Sequence, residues 1–223
     1  MGIAVGCWRT APERPVVSPD KIDLWRFSLA LPEVQTDQLK SLLTDDEIAR
    51  AGRLLLKEKQ QQFICARARI RQILSRYLHC EPSAIAFVYA EQGKPGLRGV
   101  AGVDFNLAHS GRWGVLAVGQ GQVGVDIEGL DHTLDYHLLA QRYFSSTERT
   151  LLEAASLIRQ LRIFYRLWTQ KEAWLKMQGG GFSSAGQTTG ADEFSRHFYL
   201  TRGYAAAVTF SAPVAIINKY DFS

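Results

Sequence analysis

The sequence predicts an α+β protein in which short strands and a long helix occur in each half of the chain. Three short apolar runs follow one another in the middle of the chain and are separated by glycine-containing turns, a pattern typical of strands; they span 105–109, 113–118 and 123–128. Two stretches have helical spacing, 58–79 and about 161–178, and the second ends at three consecutive glycines, a strong helix stop signal.

Composition is that of an ordinary globular protein. The chain has 223 residues, of which 46% are hydrophobic and 22% charged, so it can bury a core without metal or disulfide support. The net charge of +4 and the pI near 9.0 favour an anionic partner. Three cysteines without C-x-x-C spacing predict free thiols in a reducing compartment.

Membrane insertion and secretion are not predicted. The sequence has no apolar run of the ~20 residues needed to cross a bilayer. Its first residues lack the basic n-region of a signal peptide. We therefore expect a cytoplasmic protein that does not associate with a membrane, and we expect it to be a monomer.

The N-terminal half is predicted to begin with an irregular segment, because prolines interrupt residues 1–20. Alternating apolar residues predict a first strand over 22–29. A short helix over 37–43 follows, and Thr44 and Glu47 have the spacing of a capping box that opens another helix.

The long helix over 58–79 raises a question about its arginines. Phe63, Ile70, Leu74 and Tyr77 form one apolar stripe at ~100° per residue, and Arg67 projects only about 40° from its centre. A cation beside a core face needs a partner. Arg67 therefore either pairs with a structural carboxylate or points towards a phosphate of a ligand, and the residues alone leave both open.

A turn and a glycine-rich segment follow this helix. Residues 85–89 are predicted to form a strand, and Gly93-Lys94-Pro95 has turn composition, which a surface hairpin would explain. The glycine-rich segment 97–104 is the expected junction between an N-terminal half, 1–102, and a C-terminal half, 103–223.

The rest of the C-terminal half is predicted to hold two more helices and three closing strands. The first helix covers 134–143, and Ser145 and Glu148 form a second capping box, which would account for Glu148 by itself. The closing strands are expected at 198–200, 204–210 and 214–217.

Asp126 and Glu128 lie two residues apart at the end of the third central strand, so both side chains point to one face. Adjacent carboxylates repel each other unless a cation lies between them, and Mg²⁺ prefers such oxygen ligands. The alternative is a pair of solvated acids at a strand end.

Glu172 and Lys176 lie four residues apart and share one face of the second long helix. Taken alone, they favour an ordinary helical ion pair worth only ~0.3–0.5 kcal/mol. Arg50 and His109 have similarly plain explanations, as a solvated helix charge and a hydrogen-bonded structural histidine.

The motifs FNLAHSGRW, VGVDIE, RYFSSTE and LWTQKEAWLK, in this order and at these spacings, together resemble the Sfp-type 4′-phosphopantetheinyl transferases. The resemblance runs from about residue 50 to residue 181. It implies two similar α+β halves related by a pseudo-twofold axis, with the cofactor in the cleft between them. It also implies transfer of the 4′-phosphopantetheine arm of coenzyme A to a serine of an apo acyl or peptidyl carrier protein, with release of adenosine 3′,5′-bisphosphate.

Residue roles follow from the same resemblance. Mg²⁺ is expected to bind three acids, Asp126, Glu128 and Glu172, with Glu172 also taking the proton from the attacking serine. Lys176 and His109 are expected to neutralise the phosphate oxygens. Coenzyme A is expected to contact Arg50, Arg67, Gly93, Lys94, Pro95, His109, Ser110, Asp126 and Lys176. Glu148 lies near the metal site in the family and is at most a supporting acid.

Two other functions compete with this one. A non-catalytic module that binds coenzyme A or another nucleotide would use Arg50, Lys94 and His109 but would not need all three acids. A basic nucleic-acid-binding protein is suggested by the many cations between residues 50 and 76. Arg67 and Arg71 flank the apolar stripe instead of forming one exposed face, which argues against nucleic acid as the partner.

Overall fold

The computed structural model describes residues 4–179 and 194–222, and it confirms the predicted α+β architecture. The elements follow in the order β1 (Ala4–Thr10), β2 (Lys21–Ser28), α1 (Glu33–Leu39), α2 (Asp45–Gly52), α3 (Lys57–Leu78), β3 (Phe87–Tyr89), β4 (Pro95–Leu97), β5 (Asp104–Ser110), β6 (Trp113–Gly119), β7 (Val123–Gly129), α4 (Tyr136–Tyr143), α5 (Ser146–Glu153), α6 (Leu157–Gln178), β8 (Ser195–His197), β9 (Tyr204–Phe210) and β10 (Ile216–Asp221). Short 3₁₀ turns follow α1 at Lys40–Leu42 and α3 at Pro82–Ala84.

Two sheets stack between the two long helices. The larger sheet has the strand order β1-β10-β2-β6-β5, and the smaller has the order β7-β9-β8. One face of the larger sheet packs on α3 through Trp25, Phe27 and Leu116. Its other face packs on the smaller sheet through an apolar layer that includes Leu24 of β2 and Val125 of β7.

Helix α6 covers the outer face of the smaller sheet, and α4 and α5 pack against it around Phe164. The chain thus forms four layers, helix, sheet, sheet and helix, which bury apolar side chains on both faces of each sheet. None of the helices in the described ranges is long and apolar enough to cross a bilayer.

Local sequence signals located most elements correctly. The three central strands, the 58–79 helix, the helix at 134–143 and the strand at 204–210 are confirmed within a few residues. Both capping boxes are present, since Thr44 and Ser145 each accept from a backbone N–H while Glu47 and Glu148 bond back to the cap. Gly179 ends α6 with a positive φ of 75°.

The prediction that residues 1–20 are irregular is wrong. Residues 4–10 form β1, an edge strand that pairs in parallel with β10 at the other end of the chain. The prolines lie after this strand, in the connection to β2. A parallel pairing over such a distance leaves no short-range turn signal in the sequence.

Several element boundaries also differ from the sequence predictions. The first helix starts at Glu33 instead of residue 37, and α6 starts at Leu157 instead of near residue 161. Strand β8 covers Ser195–His197 and not 198–200, and β10 starts at Ile216 and not at residue 214. The polar segment 183–193 predicts a shortened sheet edge, and it lies outside the described residues.

The larger sheet combines strands from both ends of the chain. Strands β1 and β2 precede residue 102, while β5, β6 and β10 follow it. The division into 1–102 and 103–223 stays a prediction.

Candidate active site

Strand β7 and helix α6 meet at Gly124. A Cβ atom at this position would lie 2.0 Å from the carbonyl oxygen of Ala173 and 2.5 Å from the backbone nitrogen of Met177. Glycine therefore allows the helix backbone to lie directly against the strand. Asp126 and Glu128 point to the same face of β7 as Gly124, so their side chains face α6.

Asp126 and Lys176 form the central ion pair of this contact. Lys176 Nζ donates to Asp126 Oδ1 at 2.6 Å, and the Asp126 residue is only 3% exposed. Burial raises the pKa of Asp126 to about 7, although the charge of Lys176 opposes the shift. Asp126 Oδ2 is buried and has no hydrogen-bond partner among the described residues. A buried oxygen of this kind indicates that the site can accept a further donor or cation.

Glu128 on β7 and Glu172 on α6 are half-buried and lie near this ion pair. Burial raises the pKa of both carboxyls. The charge of Glu128 raises the pKa of Glu172 further, and both acids also raise that of Asp126. The three predicted acids therefore lie close enough to repel one another, which makes the cluster attractive to a cation.

Side chains of the cluster already have internal partners. Ser110 Oγ donates to Glu128 Oε2 at 3.0 Å and accepts from the Gly129 N–H at 3.1 Å. Lys176 holds one oxygen of Asp126. Within residues 4–179 and 194–222, no three His, Cys, Asp or Glu side chains stand in an arrangement that would hold a metal ion without rearrangement.

Polar side chains on β5 hold β7 in place. Asp104, Asn106 and Ser110 accept hydrogen bonds from the N–H groups of Val123, Val125 and Gly129, at 2.9, 2.9 and 3.1 Å. Strands β5 and β7 belong to different sheets, so these side chains replace the backbone ladder that would otherwise bond β7 on this side. The two sheets are thereby joined next to the acids.

A cleft of about 400 Å³ opens beside the cluster, on the side of α3. Its cationic lining comes from Arg50, Lys59 and Arg67, and no acidic residue of the described part of the chain lines it. Apolar walls are formed by Leu54, Phe63, Ala66, Ile70, Pro95 and Leu107. A cavity with three cations and a broad apolar surface is suited to a phosphorylated ligand with an aromatic base.

The two inward-facing arginines of α3 have different partners. Arg71 is 1% exposed and donates to Glu47 Oε2 at 3.0 Å and to the carbonyls of Pro82 and Ile85. Arg67 approaches Glu47 only to 4.0 Å and lines the cleft. Thus the structural carboxylate is bound mainly by Arg71, while Arg67 keeps donors for a ligand.

His109 lies at the end of β5, where the cleft meets the acid cluster. Desolvation lowers the pKa of His109, and the nearby charges of Lys176 and Lys59 lower it further. The ring is therefore uncharged near pH 7 before an anion binds, and it would act first as a hydrogen-bond donor.

The Gly93-Lys94-Pro95 turn borders the cleft only through Pro95. Lys94 Nζ instead donates to Asp104 Oδ2 at 2.9 Å and to the carbonyls of Val123 and Met177 at 3.2 and 3.4 Å. Gly93 has a φ of 85°, which only glycine adopts easily, and its N–H bonds to Ala90 O at 2.8 Å. The lysine side chain thus joins the turn to the start of β7 and the end of α6.

Glu148 is fully engaged in local structure. Its Oε2 accepts from the Ser145 N–H at 2.6 Å and from Lys171 Nζ at 3.0 Å. Lys171 is 1% exposed and also donates to Tyr143 O at 2.6 Å. These bonds place Glu148 in the contact of α5 with α6.

Two residues that line the cleft, Lys59 and Phe63, are absent from the coenzyme A contacts predicted from the sequence. Lys59, Phe63 and Arg67 follow each other at i, i+4 and i+8 along α3, and all three line the cleft. Phe63 was assigned to the apolar core, yet its ring lies 5.5 Å from the Arg50 guanidinium carbon and 5.6 Å from that of Arg67. The helical spacing of the two cations with Phe63 was the signal that could have identified it.

Comparison with known proteins identifies the family of this chain. Residues 122–210 match a family model described as the 4′-phosphopantetheinyl transferase superfamily, and residues 32–121 match one described as 4′-phosphopantetheinyl transferase, N-terminal. The chain is 38% identical over 180 residues to 4′-phosphopantetheinyl transferase HetI of Nostoc sp., covering 79% of this chain and 76% of the relative. It is 31% identical over 154 residues to 4′-phosphopantetheinyl transferase Sfp of Bacillus subtilis, covering 69% and 67%.

These matches extend over both halves of the chain and confirm the resemblance first detected in its motifs. The relatives carry the name of an enzyme, which excludes a merely non-catalytic binding module as the family's role. The chain belongs to the 4′-phosphopantetheinyl transferase family, whose members transfer the phosphopantetheine arm of coenzyme A to carrier proteins.

Proposed function

We propose that this chain transfers 4′-phosphopantetheine from coenzyme A to a serine of an apo acyl or peptidyl carrier protein, in a Mg²⁺-dependent reaction that releases adenosine 3′,5′-bisphosphate. The observation that supports it most strongly is the cluster of Asp126, Glu128 and Glu172 around Lys176 at the end of a basic cleft.

The cleft is suited to the nucleotide part of coenzyme A. Arg50, Lys59 and Arg67 would bind its phosphates, with the 3′-phosphate at Arg50 and the base against the apolar wall. Gly93, Lys94 and Pro95 would border the nucleotide mainly through the backbone of the turn, because the Lys94 ammonium group is bound to Asp104. His109 and Ser110 lie where the pyrophosphate would leave the cleft for the acids.

The donor set fits Mg²⁺. Burial raises the pKa of all three carboxyls, and neighbouring acids raise it further in Asp126 and Glu172. One oxygen of Asp126 is also buried without a hydrogen-bond partner among the described residues, so a divalent cation would stabilise the site. Asp126, Glu128 and Glu172 would hold the ion, leaving room for water and substrate oxygens. When bound, Mg²⁺ would neutralise negative charge on the pyrophosphate and on the leaving group.

The remaining chemistry belongs to side chains of this chain. Glu172 would accept the proton of the attacking serine, and its raised pKa brings it closer to neutrality, where a general base is most effective. Lys176 would move from Asp126 towards a phosphate oxygen, and His109 would donate a hydrogen bond to another. The oxygen–β-phosphorus bond to the serine forms as the bond to the adenosine-bearing phosphate breaks.

The partner is expected to be an acidic carrier protein, since the enzyme carries a net charge of +4. We expect a monomer that does not bind nucleic acid. Arg67 and Arg71, which are part of the basic run on α3, are 9% and 1% exposed and so add little to the outer surface that a nucleic-acid backbone would contact.

Intact-mass measurement tests the proposal directly. An apo carrier incubated with the enzyme, coenzyme A and Mg²⁺ should gain the mass of one phosphopantetheine arm, and a carrier whose acceptor serine is replaced by alanine should not. Chelation of the metal should stop the gain.

The site is tested with Glu172→Gln, which keeps the size of the side chain. We expect its loading rate to fall by at least ~100-fold, since a positioned base contributes 10²–10⁴. Glu153→Gln is the matched control, because Glu153 is exposed at the end of α5. Loading by Glu172→Gln at the wild-type rate would refute the assignment.

A further inference from the structure

A second basic pocket lies beyond the end of β7, separate from the coenzyme A cleft. It has a volume of about 390 Å³ and lies between the N-terminal part of α6 and the connection from β8 to β9. Arg162 and Arg202 line it together with Tyr199 and Tyr204, and none of the lining residues that the structure describes is acidic.

Both arginines are free to bind a ligand. Arg162 and Arg202 are exposed, and neither forms a hydrogen bond or an ion pair with any residue in the described ranges. Exposed arginines usually contribute to a mixed surface, but two that converge on one concave site without a carboxylate form a place for an anion.

The pocket is joined directly to the candidate active site. Ala205 and Tyr204 are the cross-strand partners of Glu128 and Gly129, and the Leu130 N–H donates to Gly203 O at 2.8 Å. The Tyr204 hydroxyl oxygen would lie 2.7 Å from a Cβ at Gly111, one residue after Ser110. The pocket therefore lies next to the end of β7 that carries Glu128.

The distance between Arg162 and Glu172 is short enough for one bound protein to contact both residues. Arg162 precedes Glu172 by ten residues on α6, which is about 15 Å along the helix axis. An interface of ordinary size covers about 800 Å² per partner, a disc of roughly 16 Å radius. If the acceptor serine of a carrier protein lies at Glu172, in the centre of the interface, the edge of that interface would thus reach the pocket.

We propose that this pocket, named here the Arg162–Arg202 pocket, binds carboxylate side chains of the acidic carrier protein and orients its serine towards Glu172. The inference rests on the proposed function, because it assigns the docking site of that reaction's second substrate. Rim charges act mainly on the encounter of two proteins and on its salt dependence, so carrier recognition is the step that should depend on the pocket.

Steady-state kinetics on an acidic apo carrier that the wild-type enzyme loads tests this assignment. Arg202→Glu and Arg162→Glu should each raise the KM for the carrier by about tenfold at low salt, and the difference should shrink as salt screens the charges. The KM for coenzyme A should stay within about twofold of wild type, because nucleotide binding uses the other cleft.

Arg14→Glu is the matched control. Arg14 is exposed, lies in the β1–β2 connection and gives the same change in charge. Binding of a carrier with its serine replaced by alanine, followed by fluorescence anisotropy, should show the same order of affinities as the KM values.

Two results would overturn the proposal while leaving the transferase reaction intact. One is a carrier KM in Arg202→Glu and Arg162→Glu equal to that of wild type. The other is an equal rise in Arg14→Glu, which would mean that only net charge matters. Absence of loading by the wild-type enzyme would instead contradict the proposed function itself.

Discussion

Gly124 of β7 lies so close to α6 that a Cβ atom there would be 2.0 Å from the carbonyl oxygen of Ala173. The two nearest atoms belong to the helix backbone and the third is the Cβ of Met177, so no flexible side chain can move aside at this point. Asp126 follows Gly124 by two residues, and Lys176 follows Ala173 by three. The close approach of strand and helix therefore sets the distance between the two charged side chains.

Gly124→Ala should push α6 away from β7. We expect the free energy of unfolding to fall by about 1–3 kcal/mol, the usual cost of overpacking a tight contact. Loading activity should fall further than stability explains, because Glu172 and Lys176 would shift away from Asp126 and Glu128. Denaturant unfolding and a loading assay at a temperature where the variant is folded measure the two effects.

Gly52→Ala is the control for this substitution. A Cβ at Gly52 meets nothing within 4 Å, so alanine should leave activity unchanged and stabilise α2 by up to ~1 kcal/mol. Normal activity in Gly124→Ala would show that the helix can move without harm to the site.

The sequence was sufficient to predict elements that depend on neighbouring residues, such as strands between turns and capped helices. Apolar runs bounded by glycine-containing turns located β5, β6 and β7, and capping boxes at Thr44 and Ser145 located the starts of α2 and α5. The parallel pairing of β1 with β10 was missed because it joins opposite ends of the chain. Spacing can only place a residue on a face of its own element, so it cannot show which side chain of another element lies opposite.

The candidate site illustrates the same limit. The spacing of Asp126 and Glu128 placed both on one face of β7, but the pairing of Asp126 with Lys176 depends on the helix contact at Gly124. Lys94 was expected to face coenzyme A, and no local signal indicated that Asp104 and two backbone carbonyls bind its ammonium group. Such partners are set by tertiary packing.

Lys176→Met should separate metal binding from catalysis. The Lys176 ammonium group donates to Asp126 Oδ1. Its removal makes this oxygen available to Mg²⁺ and takes a positive charge away from the proposed metal site. Opposite or like charges about 4 Å apart near a protein surface interact by ~1–4 kcal/mol, so we expect Mg²⁺ to bind about tenfold or more tightly in the variant. Calorimetric titration of Mg²⁺ without coenzyme A measures this change.

The same variant should load carrier protein about 10²–10³-fold more slowly, because it lacks the cation expected to stabilise the phosphate oxygens. Lys40→Met is the control, since Lys40 pairs with Asp37 on the surface and gives the same loss of charge. Weaker Mg²⁺ binding by Lys176→Met than by wild type would contradict the proposed ligand set.

Asp126→Asn should stabilise the metal-free protein at high pH. The folded-state pKa of Asp126, about 7, lies above its ordinary value of 3.8, so folding favours the protonated carboxyl. The stability from this group is complete below pH 3.8 and is lost as pH rises through 7. Asparagine cannot ionise, so the variant should have the higher melting temperature at pH 8, by about 2–4 °C for each kcal/mol.

This difference should shrink towards pH 5, where the wild-type carboxyl is protonated. Thermal unfolding in the presence of a chelator, at several pH values, measures it. Added Mg²⁺ should reverse the order at pH 8 by stabilising only the wild-type protein. A lower melting temperature for Asp126→Asn at pH 8 without metal would mean that the pair with Lys176 outweighs the cost of burying the carboxylate.

Arg67 and Arg71 lie one helical turn apart on α3, and their replacement by methionine should affect different properties. Arg71→Met should lower stability, and Arg67→Met should weaken coenzyme A binding. Arg71→Met leaves the buried Glu47 and two carbonyls without their donor, which should cost about 3–5 kcal/mol of stability. Arg67→Met removes a cleft cation with only a 4.0 Å approach to Glu47, so it should cost less than ~1 kcal/mol. It should instead raise the KM for coenzyme A by about tenfold, the worth of one charge-assisted hydrogen bond to a phosphate.

Urea unfolding and loading kinetics on both variants measure the contrast, and each variant serves as the control of the other. A coenzyme A KM unchanged in Arg67→Met would assign both arginines to the structure of the N-terminal half and none to the ligand.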